Sequence, residues 1–152
     1  MDTTYGARVR TRRHLLGMSQ RALADAAGVA QPLISAIESG RRTATPATAA
    51  ALDEVLAVRP STALDGRRAE VAALVRRHGG RDAVVFGSVA HGTDRVGSDL
   101  DLMVAFEPGR DIVDLLALEA DLEALLTVPV DVVSAGSSGA VAERARAESV
   151  AL

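Results

Sequence analysis

Cysteine, tryptophan and lysine are all absent from the 152 residues, and two Phe and one Tyr are the only aromatic side chains. Without Cys, neither a disulfide framework nor a thiolate metal centre can form. With so few rings the core must be aliphatic, and a hydrophobic content of 48% can supply it. No apolar run approaches the roughly 18 residues of a membrane span. The Arg-rich start, MDTTYGARVRTRRHLL, lacks the apolar stretch of a secretory signal. These absences predict a cytoplasmic chain of one ordinary domain or two small ones.

What is present is unevenly spread. All seventeen basic side chains are Arg. Residues 1–60 carry eight Arg against five acids, a net of +3, and residues 61–152 carry nine against fifteen, a net of −6. A basic front and an acidic back suggest two modules with different partners, uneven surface charge being the bland alternative. Pro60, Ser61 and Thr62 interrupt helical patterning, so the expected division is 1–60 and 61–152.

The front half reads as four short helices. The first covers Tyr5 to Leu16 and stops at Gly17. Ser19 caps a second over Gln20–Ala27, which Gly28 ends; a third runs from Gln31 to Ser39, and a fourth follows Pro46 to Val58. Leu23, Ala27, Val29, Ile34 and Ile37 supply apolar contacts, and Ala24 is small where the middle helices cross. Gly28 stands at the sharp turn between those helices, which makes this the layout of a helix-turn-helix.

The stretch SQRALADAAGVAQPLISAIESG resembles the second and third helices of the Cro/C1-type (XRE) DNA-binding family. The resemblance implies a dimer on double-stranded operator DNA, contacted by Gln20, Gln31, Ser35, Arg41 and Arg42. Gln31 could pair with adenine, while Arg41 and Arg42 would position the module on phosphates. Pro32 and Ala36 offer no hydrogen bond to a base. Arg13 and Glu38 occupy places where the family often has an ion pair, read here as fold-stabilising. Arg12 falls where an apolar residue is usual, and Leu15 and Leu16 are expected to compensate.

The back half reads as helix (Thr62–His78), strand (Ala83–Phe86), short helix, strand (Leu100–Phe106), helix (Asp111–Leu126), strand (Val128–Ser134) and helix (Ala140–Ala147). That is a compact α/β layer with a small sheet. The strand ending at Phe86 enters Gly87-Ser88, where a missing side chain and helix N-terminal amides can admit a phosphate. Eleven residues after Ser88 stands Asp99, within Ser98-Asp99-Leu100-Asp101-Leu102. Side chains at i and i+2 share a strand face, so Asp99 and Asp101 converge at about 7 Å, a half-cage for Mg²⁺ on a triphosphate. Asp131 lies in an otherwise apolar strand. An unpaired buried charge is costly there, so Asp131 is expected beside the pair, sharing its metal.

The composite GSVAHG, SDLDL and Asp131 resembles the nucleotidyltransferase family of polymerase-β type, most of all its minimal nucleotidyltransferase branch, over about residues 68–152. The full expectation is thus an all-α helix-turn-helix of four to five helices followed by an α/β nucleotidyltransferase with a small mixed sheet. The resemblance implies that Gly87, Ser88 and Ser98 bind the nucleotide, that Asp99, Asp101 and Asp131 hold Mg²⁺, and that Asp131 helps deprotonate the acceptor. ATP is the expected donor. The branch commonly acts as antitoxin to a HEPN-type ribonuclease toxin, with AMP placed on a toxin tyrosine. A homodimer or a toxin–antitoxin hetero-oligomer would be the assembly. His91 departs from the pattern, which commonly has Arg there; it either weakens nucleotide binding or is a plain loop residue. His14, His78 and the acids of the long helix (Asp111, Asp114, Glu119, Asp121, Glu123) read as surface groups. The alternative function is a DNA-binding regulator whose transferase fold is weak or inactive and serves partner or nucleotide binding. Transfer to a small molecule is a third possibility.

Overall fold

The computed structural model describes residues 4–152, which form two compact units divided between Val58 and Arg59. In the front unit, α1 (Tyr5–Leu15), α2 (Gln20–Ala27), α3 (Gln31–Glu38) and α4 (Pro46–Val55) follow one another. Hydroxyl caps start three of them: Thr4, Ser19 and Thr45 accept from the amides of Ala7, Ala22 and Thr48. Gly28 ends α2 with φ +66°, the left-handed turn that its place between α2 and α3 demands. Helices of eight to eleven residues are marginal alone, so burial must hold them. Val9, Leu23, Ala24, Ile34, Ile37, Leu52 and Leu56 form that core, while Ala27 and Val29 only flank it. Val9 and Leu16 fill the inner side of α1, and Arg12 beside them is half-buried.

The back unit begins with α5 (Pro60–Asp65) and α6 (Arg68–Arg77), where the sequence pattern predicts one helix over 62–78. The helix ends at Gly66 and the chain leaves helical geometry at Arg67 (φ −139°, ψ 17°), with the Arg68–Asp65 bridge at 3.0 Å spanning the break. Then come β1 (Gly80–Phe86), the single-turn α7 (Gly87–Ala90), β2 (Leu100–Phe106), α8 (Ile112–Leu126), β3 (Val130–Ser134), α9 (Ala140–Glu148) and β4 (Val150–Ala151). The sheet is mixed, in the order β3-β2-β1-β4. β2 pairs parallel to β3 and antiparallel to β1, which pairs antiparallel to β4. The sheet has four strands rather than the three expected, because two residues of β4 are too short to show periodicity. β1 starts three residues earlier than its apolar run because Gly80 pairs with Phe106 across a bulge. β3 starts after Pro129, whose carbonyl instead accepts the amide of Leu100 at 2.9 Å.

β2 is covered on both faces. Leu100, Leu102 and Val104 are fully buried, as are Leu118, Leu122 and Leu126 of α8. On the other face Met103 packs with Phe86 and with Ala145 of α9. Alternation therefore puts Asp101 on the α9 side of the sheet, with Met103. The front half of α8 departs from its apolar pattern: Ile112, Val113 and Leu116 are more than half exposed. Among the described residues no helix is long and apolar enough to cross a membrane.

Candidate active site

Strand register brings the carboxylates together. Phe86 of β1 pairs with Asp101 of β2, and Asp101 pairs in turn with Asp131 of β3. Asp99 lies one residue before β2 and is exposed; Asp101 is half-buried; Asp131 is exposed. The costly buried charge expected at Asp131 is thus absent, because its side chain alternates outward while Val130 and Val132 face the core. Proximity to Asp101 rests on register instead. Burial, followed by the charges of Asp131 and Asp99, pushes the Asp101 carboxyl above the ordinary Asp range.

Gly87 completes the arrangement. Its φ of +66° turns the chain from β1 into α7, and a Cβ there would collide with Oδ2 of Asp101. Ser88 follows, half-buried, with its carbonyl accepting the Thr93 amide at 2.9 Å. The Ser98 hydroxyl accepts the Arg95 amide at 2.9 Å, closing the turn that leads to Asp99 and keeping its own proton free to donate. His91 is exposed and folds back on its own turn: Nδ1 donates to the Gly87 carbonyl at 2.7 Å, and Nε2 lies 3.8 Å from Glu148.

Asp94 belongs to no motif in the sequence, yet it ties down the approach to the site. Its side chain is fully buried and accepts from Arg59 at 2.7 Å and from the Ser61 amide at 2.9 Å. Burial works to raise its pKa, but those hydrogen bonds outweigh it and hold the carboxyl below the ordinary range. The loop returning to Asp99 is thereby fastened to the start of α5. His78, expected as a surface group, joins Asp121 at 2.9 Å and links α6 to α8. His14 lies 3.0 Å from Arg13.

The donor set suits Mg²⁺. The Asp101 carboxylate lies hard against Gly87 and feels the charges of Asp131 and Asp99, a repulsion that a dication would relieve. Among the described residues, however, no group of three His, Cys, Asp or Glu side chains is placed to hold a metal ion. The expected three-carboxylate cage is therefore not preformed. Mg²⁺ ordinarily takes one or two carboxylates and completes its shell with phosphate oxygens and water.

On the front unit, Arg13 grips Glu38 through both oxygens, at 2.6 and 3.0 Å. Gln20 donates to Glu38 at 2.9 Å and accepts from Gln31 at 2.8 Å. Burial tends to raise the Glu38 pKa, but bonds from Arg13 and Gln20 lower it further than burial raises it. The exposed Gln31 is thus oriented from behind, with one amide hydrogen and its oxygen left to meet a base edge. Ser35 is half-buried in α3, and Arg41 reaches back to the hydroxyls of Ser39 at 2.8 Å and Ser35 at 3.4 Å. Arg42 is exposed.

Comparison with known proteins agrees with this division of labour. Residues 9–62 match the family model described as helix-turn-helix, and residues 74–150 match that of polymerase beta, nucleotidyltransferase. A Methanocaldococcus jannaschii protein, provisionally named a protein adenylyltransferase, is 36% identical over 64 residues, 42% of this chain and 69% of that one. Protein adenylyltransferase MntA of Thermococcus cleftensis is 41% identical over 64 residues, 42% of this chain and 65% of that one. A solved structure provisionally described as a minimal nucleotidyltransferase is 45% identical with a TM-score of 0.54, covering 60% of this chain and 95% of that chain. A crystal structure of a toxin–antitoxin with AMP-PNP shares the fold at 23% identity and a TM-score of 0.50, covering 55% of this chain and 69% of that one. The chain belongs to the polymerase beta type nucleotidyltransferase family and carries an XRE-type helix-turn-helix in front of that fold.

Proposed function

We propose that the chain is an antitoxin-type protein adenylyltransferase, moving AMP from ATP to a tyrosine hydroxyl of a HEPN-type toxin, and that its front unit binds operator DNA to regulate its own gene pair. The observation that carries the reaction is Asp101 set between Gly87 and Asp131, with Asp99 two residues before it in the chain. Gly87 and Ser88 line the phosphates, and Ser98 can donate a further bond. Asp99 and Asp101, with Asp131 alongside, would hold Mg²⁺, which would supply charge neutralisation on the triphosphate and a lowered pKa at the acceptor. The acceptor oxygen bonds to the α-phosphorus as the bond to the β-phosphate oxygen breaks. Pyrophosphate leaves, and Asp131 takes the hydroxyl proton.

The acceptor belongs to another chain in this reading. Tyr5 is the sole tyrosine here, and its hydroxyl donates to the Ala49 carbonyl at 3.1 Å. Arg8, bridged to Asp53 at 3.1 Å, covers its ring. For the front unit, the Gln20–Gln31 pair and the exposed Arg41 and Arg42 support DNA contact; a dimer on two half-sites is the assembly this reading takes. One observation favours the alternative of an inactive transferase fold: His91, in place of Arg, spends Nδ1 on its own backbone and adds no permanent charge near the phosphates.

Labelled ATP, Mg²⁺ and the product of the neighbouring gene decide between them. Label on a partner tyrosine, lost in Asp99→Asn, is the expected result. No label with any of the four nucleotides would sink the protein-transferase reading and favour the regulator.

A further inference from the structure

Glu119 and Glu123 look, in sequence, like part of the wetted face of a long helix. Their carboxylates do something else. Glu123 accepts the amide of Val130 at 3.2 Å, and Glu119 accepts the amide of Val132 at 3.1 Å. β3 is the edge strand of the sheet, so without these bonds those two amides would have no strand to pair with. The residue between them is Asp131.

The fit follows from two periodicities. Glu119 and Glu123 stand at i and i+4, on one helix face and about 6 Å apart along the axis. Val130 and Val132 stand at i and i+2, about 6.6 Å apart along the strand. Running α8 antiparallel to β3 therefore lets two neighbouring carboxylates take two alternate amides. On either side Leu118, Leu122, Val130 and Val132 are buried, so helix and strand are seated by packing and registered by the two acids. Register matters here more than elsewhere in the sheet. A slip of β3 by one residue would turn Asp131 into the core and bring Val130 or Val132 opposite Asp101.

We propose that Glu119 and Glu123 are positioning residues: they clamp β3 from its free edge and hold Asp131 opposite Asp101. The clamp rests on the adenylyl transfer proposed above for its catalytic meaning, and on hydrogen bonding alone for its existence. What it needs is an acceptor oxygen at each position, not a charge.

Two measurements on the full chain test it. Amide exchange followed by NMR reads the clamp itself. In Glu119→Ala/Glu123→Ala, exchange at Val130 and Val132 should quicken at least about tenfold, while Val85 and Leu102 keep their wild-type protection. Glu119→Gln/Glu123→Gln keeps both acceptor oxygens and should exchange as the wild type does. Transfer kinetics read the consequence: kcat should fall about tenfold or more in the alanine pair with KM for ATP unchanged, and return in the glutamine pair. The single Glu119→Ala, which keeps one bond, should lie between and serves if the double variant does not fold. Unchanged exchange in the alanine variants overturns the clamp, and so does a glutamine pair as impaired as the alanine pair. Altered exchange with kcat within about twofold of wild type overturns the positioning role while leaving the transferase intact. If exchange is altered in the alanine variants but the wild type itself transfers nothing, the reaction is overturned, and the catalytic meaning of the clamp falls with it.

Discussion

Two acids, one in each unit, show how the same side-chain chemistry is put to opposite uses. Glu38 of the front unit is surrounded by donors: Arg13 takes both oxygens and Gln20 adds a third bond. Its pKa falls although burial works against ionisation. Asp101 of the back unit is surrounded by more acid, and burial, Asp131 and Asp99 all push its pKa up. A carboxylate with its donors supplied serves the fold. One held among like charges, hard against a glycine backbone, is left with repulsion to relieve, and in the proposed reaction a cation would relieve it.

The sharpest way to break this contrast is to neutralise Asp101. Asp101→Asn removes an oxygen that would hold the metal in the proposed reaction, and should lower transfer by about a hundred- to a thousandfold, as loss of a preorganised electrostatic group does. The same change should raise the melting temperature of the metal-free chain at neutral pH. An acid whose folded pKa is raised stabilises the fold below its unfolded value and loses that contribution as pH rises through the folded one. The neutral amide has no such loss. Melting curves from acid to neutral pH should therefore diverge as pH rises, with the variant above the wild type. A variant that melts lower at neutral pH would show that Asp101 is paired after all.

Glu38 answers with the other sign. Arg13→Leu strands a buried carboxylate and should cost the front unit about 3 kcal/mol. Because the folded pKa of Glu38 is lowered, its contribution is fully present above the unfolded value and disappears as pH falls through the folded one. The gap between wild type and Arg13→Leu should thus be full at neutral pH and close in acid, read by denaturant unfolding. A pH-independent gap would make the pair a matter of packing alone.

Much of this is legible in sequence because it is local. The helix cap at Ser19 and the turn at Gly28 are short-range patterns, and each has its counterpart in the structure. The Arg13–Glu38 pair, legible through the family resemblance, forms as well, whereas Asp99 falls just before β2 and not on it. What escapes a sequence reading depends on which elements become neighbours. Glu119 and Glu123 can be read as edge clamps only once β3 is known to end the sheet. Asp94 finds Arg59 thirty-five residues away. Asp131 does stand opposite Asp101, but exposed rather than buried, since an apolar run does not say which alternate residue faces out. Gly66 is a visible signal of the break between α5 and α6, being a lone glycine in a helical pattern.

The smallest effect probes the front unit at its surface, where the contrast is with the internal chain of bonds from Arg13 to Gln31. Gln20 and Gln31 are held by that chain, so in the proposed DNA complex replacing either should change which base is tolerated. Arg41 and Arg42 lie beyond it, and a phosphate contact carries no sequence information. Arg41→Ala/Arg42→Ala should weaken binding to every operator variant by a similar factor. It should also make the plot of log affinity against log salt shallower by about 2, near one for each phosphate no longer neutralised. Gln31→Ala should leave that slope unchanged and relax preference at a single base pair, costing about 1–3 kcal/mol there. Titrations at several salt concentrations on operator and scrambled duplexes separate the two. If the arginine pair altered base preference while sparing the slope, the positioning role would pass from Arg41 and Arg42 to other residues of the unit.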